Sequence, residues 1–474
     1  MLIRHSIIYF IGKLAPAILS LIGVMIFTRM VTPEAYGLFS LITVITGLIN
    51  ILFFQWIRSS FIRFYNEKEN IKSFSSSIVR SHIFTLGILL IPIIILLPLS
   101  SFYSIDLRYI IIGYFLVVFL SLFEMCVVYY RTILKPKIVV NLNVLKSLLV
   151  IFCSTILLYF GWGVWGLLFG SIIGTSVGVF PFVKKIRKNN IKVLIKADKR
   201  TQLNFFKYGM PITLSFVLSV ALQNIDKIMI SSILGLEANG NYAVGFDLIH
   251  NLIYMLMTSL SLASFPLILK VIKKSGDKAG KKQFQGYVDL LLFISIPACF
   301  GLASILNEFT TIVIGDSYSI SNHLMILIII ASLFHGMKSY YFDLTLQIST
   351  KTKYFFIPVL TAIIINVIFN FFLLNKFGIE GAAIATALAF FIAMFISAFY
   401  SIRNYHVPFP WTDFFKIIVS SYVMYLIVTT ISIESNLISL ITKILVGIIV
   451  YVLVSIIINS LKVRELIISK LMKR

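Results

Sequence analysis

Charge is scarce in this chain, and acid is scarcer than base. Only 12% of the 474 residues are charged, and 18 Asp and Glu stand against 41 Lys and Arg. With 59% hydrophobic residues and a mean hydropathy of +0.99, this excludes a soluble globular chain. Cysteine is nearly absent: Cys126, Cys153 and Cys299 all fall inside apolar runs, where a disulfide framework has no purpose. The histidines His5, His82, His250, His323, His335 and His406 are scattered without the spacing of a metal site. No nucleophile elbow is present. The nearest thing to a phosphate-gripping loop, residues 276–282, is one residue short and lacks its Ser/Thr, so it reads as a basic loop. No cofactor, no metal and no ATP-driven step are expected.

What the chain does have is long apolar runs. A membrane helix needs roughly 20 apolar residues, and fourteen such runs follow one another, near 6–28, 37–57, 79–101, 109–130, 139–160, 162–183, 208–233, 241–266, 286–306, 321–346, 354–375, 379–402, 415–433 and 437–461. The fold class expected is an all-α polytopic membrane protein. The first run is too long for a signal peptide and lacks a cleavage site, so it counts as span 1. With the N-terminus inside, only Arg29, Arg108 and Lys376 fall on outer segments, while Lys13, Lys146, Lys227, Lys338 and Lys443 lie within spans. Almost all other basic residues then sit on one side, which predicts cytoplasmic termini. The net charge of +23 is therefore topological, with an attraction to anionic lipid and no nucleic-acid partner.

The chain repeats itself. The corner Glu34-Ala35-Tyr36-Gly37-Leu38-Phe39, preceded by Pro33, returns as Glu237-Ala238-Asn239-Gly240-Asn241-Tyr242, each reading Glu-Ala-x-Gly-x-aromatic. Gly166, Gly170, Gly174 and Gly178 place one small residue per turn on span 6, a ridge for close helix contact. Gly381, Ala385, Ala389 and Ala393 repeat that ladder 215 positions later, and Gly163 maps to Gly378 by the same shift. Two six-span lobes, 1–204 and 205–404, are predicted as a parallel repeat, followed by 405–474 with spans 13 and 14 and a basic tail. The stretch from Pro211 to its corner is longer than that from Pro16, so span 7 should be longer or more tilted than span 1. The joint at 184–207 alternates basic and apolar residues and reads either as a segment lying on the inner surface or as a solvated loop.

Polar groups inside spans mark a pathway by default. Lys13, Lys146, Gln223, Lys227 and Lys338, with Arg29, Arg58 and Arg63 near helix ends, could line a cavity suited to an anion. Gln223 and Lys227 lie four apart on one face. Glu124, Asp226, Asp247 and Asp343 are the acids that could carry a coupling ion. Each has a plainer reading: the arginines snorkel to headgroups, Lys13, Lys146 and Lys338 snorkel or pair with Glu124 or Asp343, and Asn366 and Asn370 join helices.

These residues resemble a known family. The corner Arg29, Pro33, Glu34, Tyr36, Gly37, the Asp226-Lys227 pair ahead of Leu234, Gly235, Glu237, Gly240 and Tyr242, and the glycine openings of spans 6 and 12 are similar to bacterial polysaccharide transporters. Those are O-antigen-type oligosaccharide-lipid flippases of the multidrug/oligosaccharidyl-lipid/polysaccharide exporter superfamily. Spans 13 and 14 resemble the extra pair of lipid II flippases and of some polysaccharide exporters.

The resemblance implies lobes that rock around a cavity lined by spans 1, 2, 7 and 8. It implies an undecaprenyl-pyrophosphate-linked oligosaccharide as cargo, carried from the inner to the outer leaflet of the bacterial cytoplasmic membrane for surface polysaccharides such as O-antigen, lipopolysaccharide or capsule. Beyond the bilayer, a polysaccharide polymerase and chain-length machinery are the implied partners. Arg29 and Lys227, supported by Lys13 and Arg58, would contact pyrophosphate or acidic sugars, while Glu34 and Gly37 shape the outer rim. Three alternatives stand beside it: a lipid II flippase, a drug/cation antiporter of the same superfamily, and a membrane-embedded glycan polymerase or ligase. The antiporter should favour acids in the first lobe, where Glu124 and Asp106 are the only ones in or beside its spans. The polymerase should carry a large outer loop, and none exists.

Overall fold

The computed structural model describes residues 2–65, 71–103, 106–181, 199–349 and 351–462, with side chains described except at 2–14, 71–73, 92–103, 199–200, 352–353 and 462. Among them there is helix and no strand. In chain order the helices are α1 (Leu2–Met30), α2 (Pro33–Phe64), α3 (Ile71–Tyr103), α4 (Leu107–Thr132), α5 (Pro136–Tyr159), α6 (Val164–Ser176) and α7 (Lys199–Ile233). They continue with α8 (Leu236–Ser304), α9 (Leu306–Val313), α10 (Asn322–Met337), α11 (Asp343–Ile348), α12 (Phe356–Asn404), α13 (Trp411–Thr429) and α14 (Asn436–Ile457). Eleven of the described helices are long and apolar enough to cross a membrane. Two of these contain a break, α8 at Gly276 and α12 at Gly378, so each supplies two spans. One of the eleven is composite: a π-helical turn, Lys338–Phe342, joins α10 to α11 into a single crossing. With α1, the fourteen expected spans are all found as helices.

Local chemistry explains the helix starts. Thr32 caps α2 by accepting from the Ala35 amide at 3.4 Å, with Pro33 and Glu34 in the first turn. Ser321 caps α10 by accepting from the Leu324 amide at 3.0 Å. Asp106 caps α4, accepting from the Arg108 amide at 3.0 Å and from the Arg108 guanidinium at 2.8 Å. The Arg108 hydrogen bonds hold the exposed Asp106 carboxyl below the usual carboxylate range.

The two glycine breaks share one backbone conformation. Gly163 has φ 51°, ψ −132° and Gly378 has φ 58°, ψ −141°, the same left-handed break 215 residues apart. An L-residue adopts this only with strain, so a glycine stands at both. The small-residue ladders behind the breaks are packing faces. A Cβ at Gly170 would press on the Ser154 backbone, while Ala385, Ala389 and Ala393 are fully buried. α7, at 35 residues, is longer than α1, at 29.

The chain forms two compact units, residues 11–240 and residues 241–474 with 1–10. This division by packing lies later than the lobe boundary read from the repeat, because α7 packs along α2. The Ser60 hydroxyl donates to the Phe205 carbonyl at 2.7 Å, and Trp56 meets Phe206 edge-on at 5.5 Å between ring centres. An aromatic cluster of Phe54, Phe61, Phe74 and Phe205 seals that end. In the second unit, Met424, Val428 and Tyr451 of α13 and α14 pack with Phe293, Phe300 and Leu302 of α8. The joint at 184–207 lies outside the described residues up to 198, as does the tail from 463.

Candidate functional site

The two duplicated corners meet. α2 begins at Pro33 and α8 at Leu236, and the glycine of each corner sits where no side chain fits. A Cβ on Gly37 would run into the Leu236 carbonyl, and one on Gly240 into the carbonyl of Pro33. The Asn239 amide donates to the Gly37 carbonyl at 2.8 Å across this contact, and Asn239 is fully buried. So Gly37 is a backbone contact surface as much as a rim residue, while Glu34 is exposed.

From this corner α2 and α7 run together through the first unit, carrying the buried charges. Asp226 and Lys227 are 1% and 4% exposed in α7. Gln223 is half-buried and donates to the Ser219 carbonyl at 3.3 Å, within its own helix. Arg58 is 4% exposed, which overturns its reading as a snorkelling residue. The reason is that α2 continues to Phe64, nearly two turns past Arg58, and carries the guanidinium into the bundle. There Nε donates to Gln55 Oε1 at 3.0 Å and Nη2 to the Asn50 carbonyl at 3.4 Å, while Nη1 has no hydrogen-bond partner among the described residues. Glu124 of α4, half-buried, reaches Arg58 through its charge. His82 of α3 lies within reach of the Arg58 charge and pairs with the Ser121 hydroxyl at 3.0 Å.

The other candidates of this unit stand apart. Arg29 is exposed and donates to the Met25 carbonyl at 2.7 Å. Arg63 is exposed and lies over the Phe64 ring at 5.9 Å. Lys146 is half-buried with its ammonium 4.8 Å from the centre of the Phe123 ring. Lys13 lies on α1, and its side chain is outside the described residues.

In the second unit the charges are paired. Lys338 donates to Asp343 Oδ2 at 2.6 Å, and the Ser397 hydroxyl donates to Asp343 Oδ1 at 2.9 Å. Lys443 of α14 is paired with Glu308 of α9, which also accepts from Ser439 at 2.9 Å. Burial opposes the Glu308 charge, but Lys443, the backbone and Ser439 more than offset it and keep the carboxyl below the usual carboxylate range. Asp247 is half-buried on α8. The amide of Asn366 donates to the Thr386 hydroxyl at 3.2 Å and that of Asn370 to Asn366 Oδ1 at 3.0 Å, joining the halves of α12 as interhelical glue.

Sequence reasoning missed a stack of rings in this unit. Tyr242, Phe246, His250 and Tyr254 stack one turn apart on α8, and His335 lies 5.4 Å from His250 and 4.4 Å from Phe390 between ring centres. Their spacing of four along the chain was the available signal. Among the described residues no group of three or more His, Cys, Asp or Glu could hold a metal ion.

Residues 2–272 match the family model described as polysaccharide biosynthesis protein. The chain belongs to that family. Over 97% of both chains it is 21% identical to a probable low-salt glycan biosynthesis flippase, Agl15, of Haloferax volcanii. It is also 26% identical over 26% of its length, and 25% of the other, to the teichuronic acid biosynthesis protein TuaB of Bacillus subtilis. Among solved structures, a lipid II flippase, MurJ, in an inward closed conformation superposes with a TM-score of 0.76 and 22% identity over 98% of this chain and 100% of that one. An outward-facing multidrug resistance transporter of the MATE family gives a TM-score of 0.58 and 15% identity over 85% and 94%. These structural likenesses show the fold.

Proposed function

We propose that this family member is a secondary transporter that flips an undecaprenyl-pyrophosphate-linked oligosaccharide from the inner to the outer leaflet of a bacterial cytoplasmic membrane, by alternating access, for surface polysaccharide synthesis. The observation that carries the reading is the α2–α7 pair, which holds Arg58 and Lys227 buried within helices of membrane-spanning length. A buried cation there is costly and marks a substrate path by default. A sugar pyrophosphate cannot leave water for hydrocarbon unaided. Cationic side chains replace its hydration while the lipid tail stays in the bilayer.

Orientation follows from the basic bias, with both termini cytoplasmic. An anion leaving a negative interior is then helped by roughly 2.3 kcal/mol per charge per 100 mV. Arg29 and Lys227 contact the pyrophosphate or acidic sugars, with Lys13 and Arg58 in support. Glu124, Asp226, Asp247 and Asp343 are the coupling candidates, and a polymerase with chain-length machinery receives the product.

The test is a deletion strain complemented with single neutral variants at Arg29, Arg58 and Lys227. Lipid-linked repeat should accumulate on the inner leaflet of each variant at normal protein levels. Intact export in all three would refute the assignment. Rescue of peptidoglycan synthesis instead would make lipid II the cargo, a rival favoured by the fold shared with MurJ over 98% of the chain.

A further inference from the structure

A cavity of about 630 Å³ lies in the second unit, between the second half of α8, the turn from α10 to α11, the end of α12 and the start of α13. Ile296, Met337, Phe342, Ala398, Val407 and Phe414 are among its walls, and no carboxylate is. Its volume falls within the range of roughly 300–1,000 Å³ usual for ligand sites. The mouth faces outward: Phe395, Phe399 and Ile402 are 56%, 48% and 56% exposed and recur every third or fourth residue on α12. Such a stripe on a membrane helix faces lipid. Trp411, also in the lining, is 61% exposed and suits the headgroup level.

The rim is basic. The Arg403 guanidinium lies 4.1 Å from the Phe399 ring centre, and the Lys281 ammonium 5.1 Å from that of Tyr405. His406 is part of the lining. The floor is fixed, because Tyr341 donates to the Val407 carbonyl at 3.1 Å and holds the 405–410 loop against the π turn. This end of the unit also carries the basic turn around Gly276, with Lys270, Lys273, Lys274, Lys278, Lys281 and Lys282. By the charge rule it faces the anionic leaflet.

An apolar chamber open to lipid, with cations at headgroup level and no acid in its walls, has the two-part chemistry of one kind of molecule. We propose that it binds a single anionic phospholipid of the inner leaflet, with an acyl chain in the chamber and the phosphate against Arg403 and Lys281. The isoprenoid carrier shares a phosphate and a tail. The bulk anionic lipid is nevertheless what a basic rim meets at the highest concentration, and this site lies on different helices from the α2–α7 pair. Its occupancy would hold the 405–410 loop and the start of α13 against α12.

The experiment uses the full-length protein, purified, delipidated and titrated in detergent under native mass spectrometry with phosphatidylglycerol, phosphatidylcholine or undecaprenyl phosphate. One phosphatidylglycerol should bind about tenfold more tightly than phosphatidylcholine, as expected for two cations near a headgroup. Combined Arg403→Gln and Lys281→Gln should abolish that preference, and Ala398→Phe, which fills the chamber, should weaken both lipids by about tenfold. Ala398→Leu replaces it if Ala398→Phe does not fold, the unfolding temperature serving as the control. Equal binding of the two phospholipids, undiminished phosphatidylglycerol binding after the chamber is filled, or displacement of phosphatidylglycerol by equimolar undecaprenyl phosphate would each overturn the proposal.

Discussion

The two units treat buried cations differently. In the second, Lys338 and Lys443 each face a carboxylate, Asp343 and Glu308. In the first, Arg58 donates to the neutral Gln55 side chain and the Asn50 carbonyl, the Glu124 carboxylate reaches it only through its charge, and Nη1 has no hydrogen-bond partner among the described residues. A buried ion pair is a closed account, in which removing one member leaves the other stranded at several kcal/mol. A buried guanidinium with spare donor capacity has something still to bind. The difference teaches that burial alone does not mark a cargo site, and that the partner decides.

The largest effect should come from Asp343→Asn, which strands the Lys338 ammonium in the core of the second unit. A loss of about 3–5 kcal/mol is expected, read as a fall in unfolding temperature in detergent, and Lys338→Met combined with Asp343→Leu should recover most of it. If the single variant were as stable as the parent, the pair would not be structural. Next in size is Glu308→Gln, at about 2–3 kcal/mol, because the short helix α9 lies beyond the ends of the spans, where water relieves a stranded charge.

The Glu308 pair also carries a pH signature. Its carboxyl lies lower in the folded than in the unfolded protein, so the stability it adds is present above the ordinary Glu value of about 4.3 and is lost as pH falls through the folded value. Unfolding temperature should therefore drop more steeply on acidification in the parent than in Glu308→Gln, and parallel curves would argue against the pair. The smallest stability effect is expected at Arg58. Replacement by Gln should cost about 1.5 kcal/mol, since its hydrogen bonds are to neutral groups and Glu124 is reached only through its charge. Glycan export should nonetheless fail at normal protein levels. A variant that unfolds but transports when present would reverse the comparison.

Much of this was legible in the chain. Fourteen apolar runs became fourteen helical spans, and the 215-residue shift between Gly163 and Gly378 became one backbone conformation used twice. Lys338 and Asp343 were legible as partners by charge, though not by geometry. Residues five apart do not face each other on an α-helix. The π-helical turn between them, with its bonds from i to i+5, is what brings them to 2.6 Å. The snorkelling alternative for Arg58 arose because the apolar run ends before it while the helix does not. The meeting of Gly37 with Leu236 was invisible, since nothing local records which of two distant turns will touch.

The matched breaks at Gly163 and Gly378 have a practical consequence. Two positions with one backbone geometry and different neighbours form a replicate inside a single molecule. Neither needs an external reference: the same substitution at each imposes the same local strain, and whatever differs between the two outcomes reports on the unit around it. The repeated break thus supplies the control against which the surroundings of each glycine can be measured.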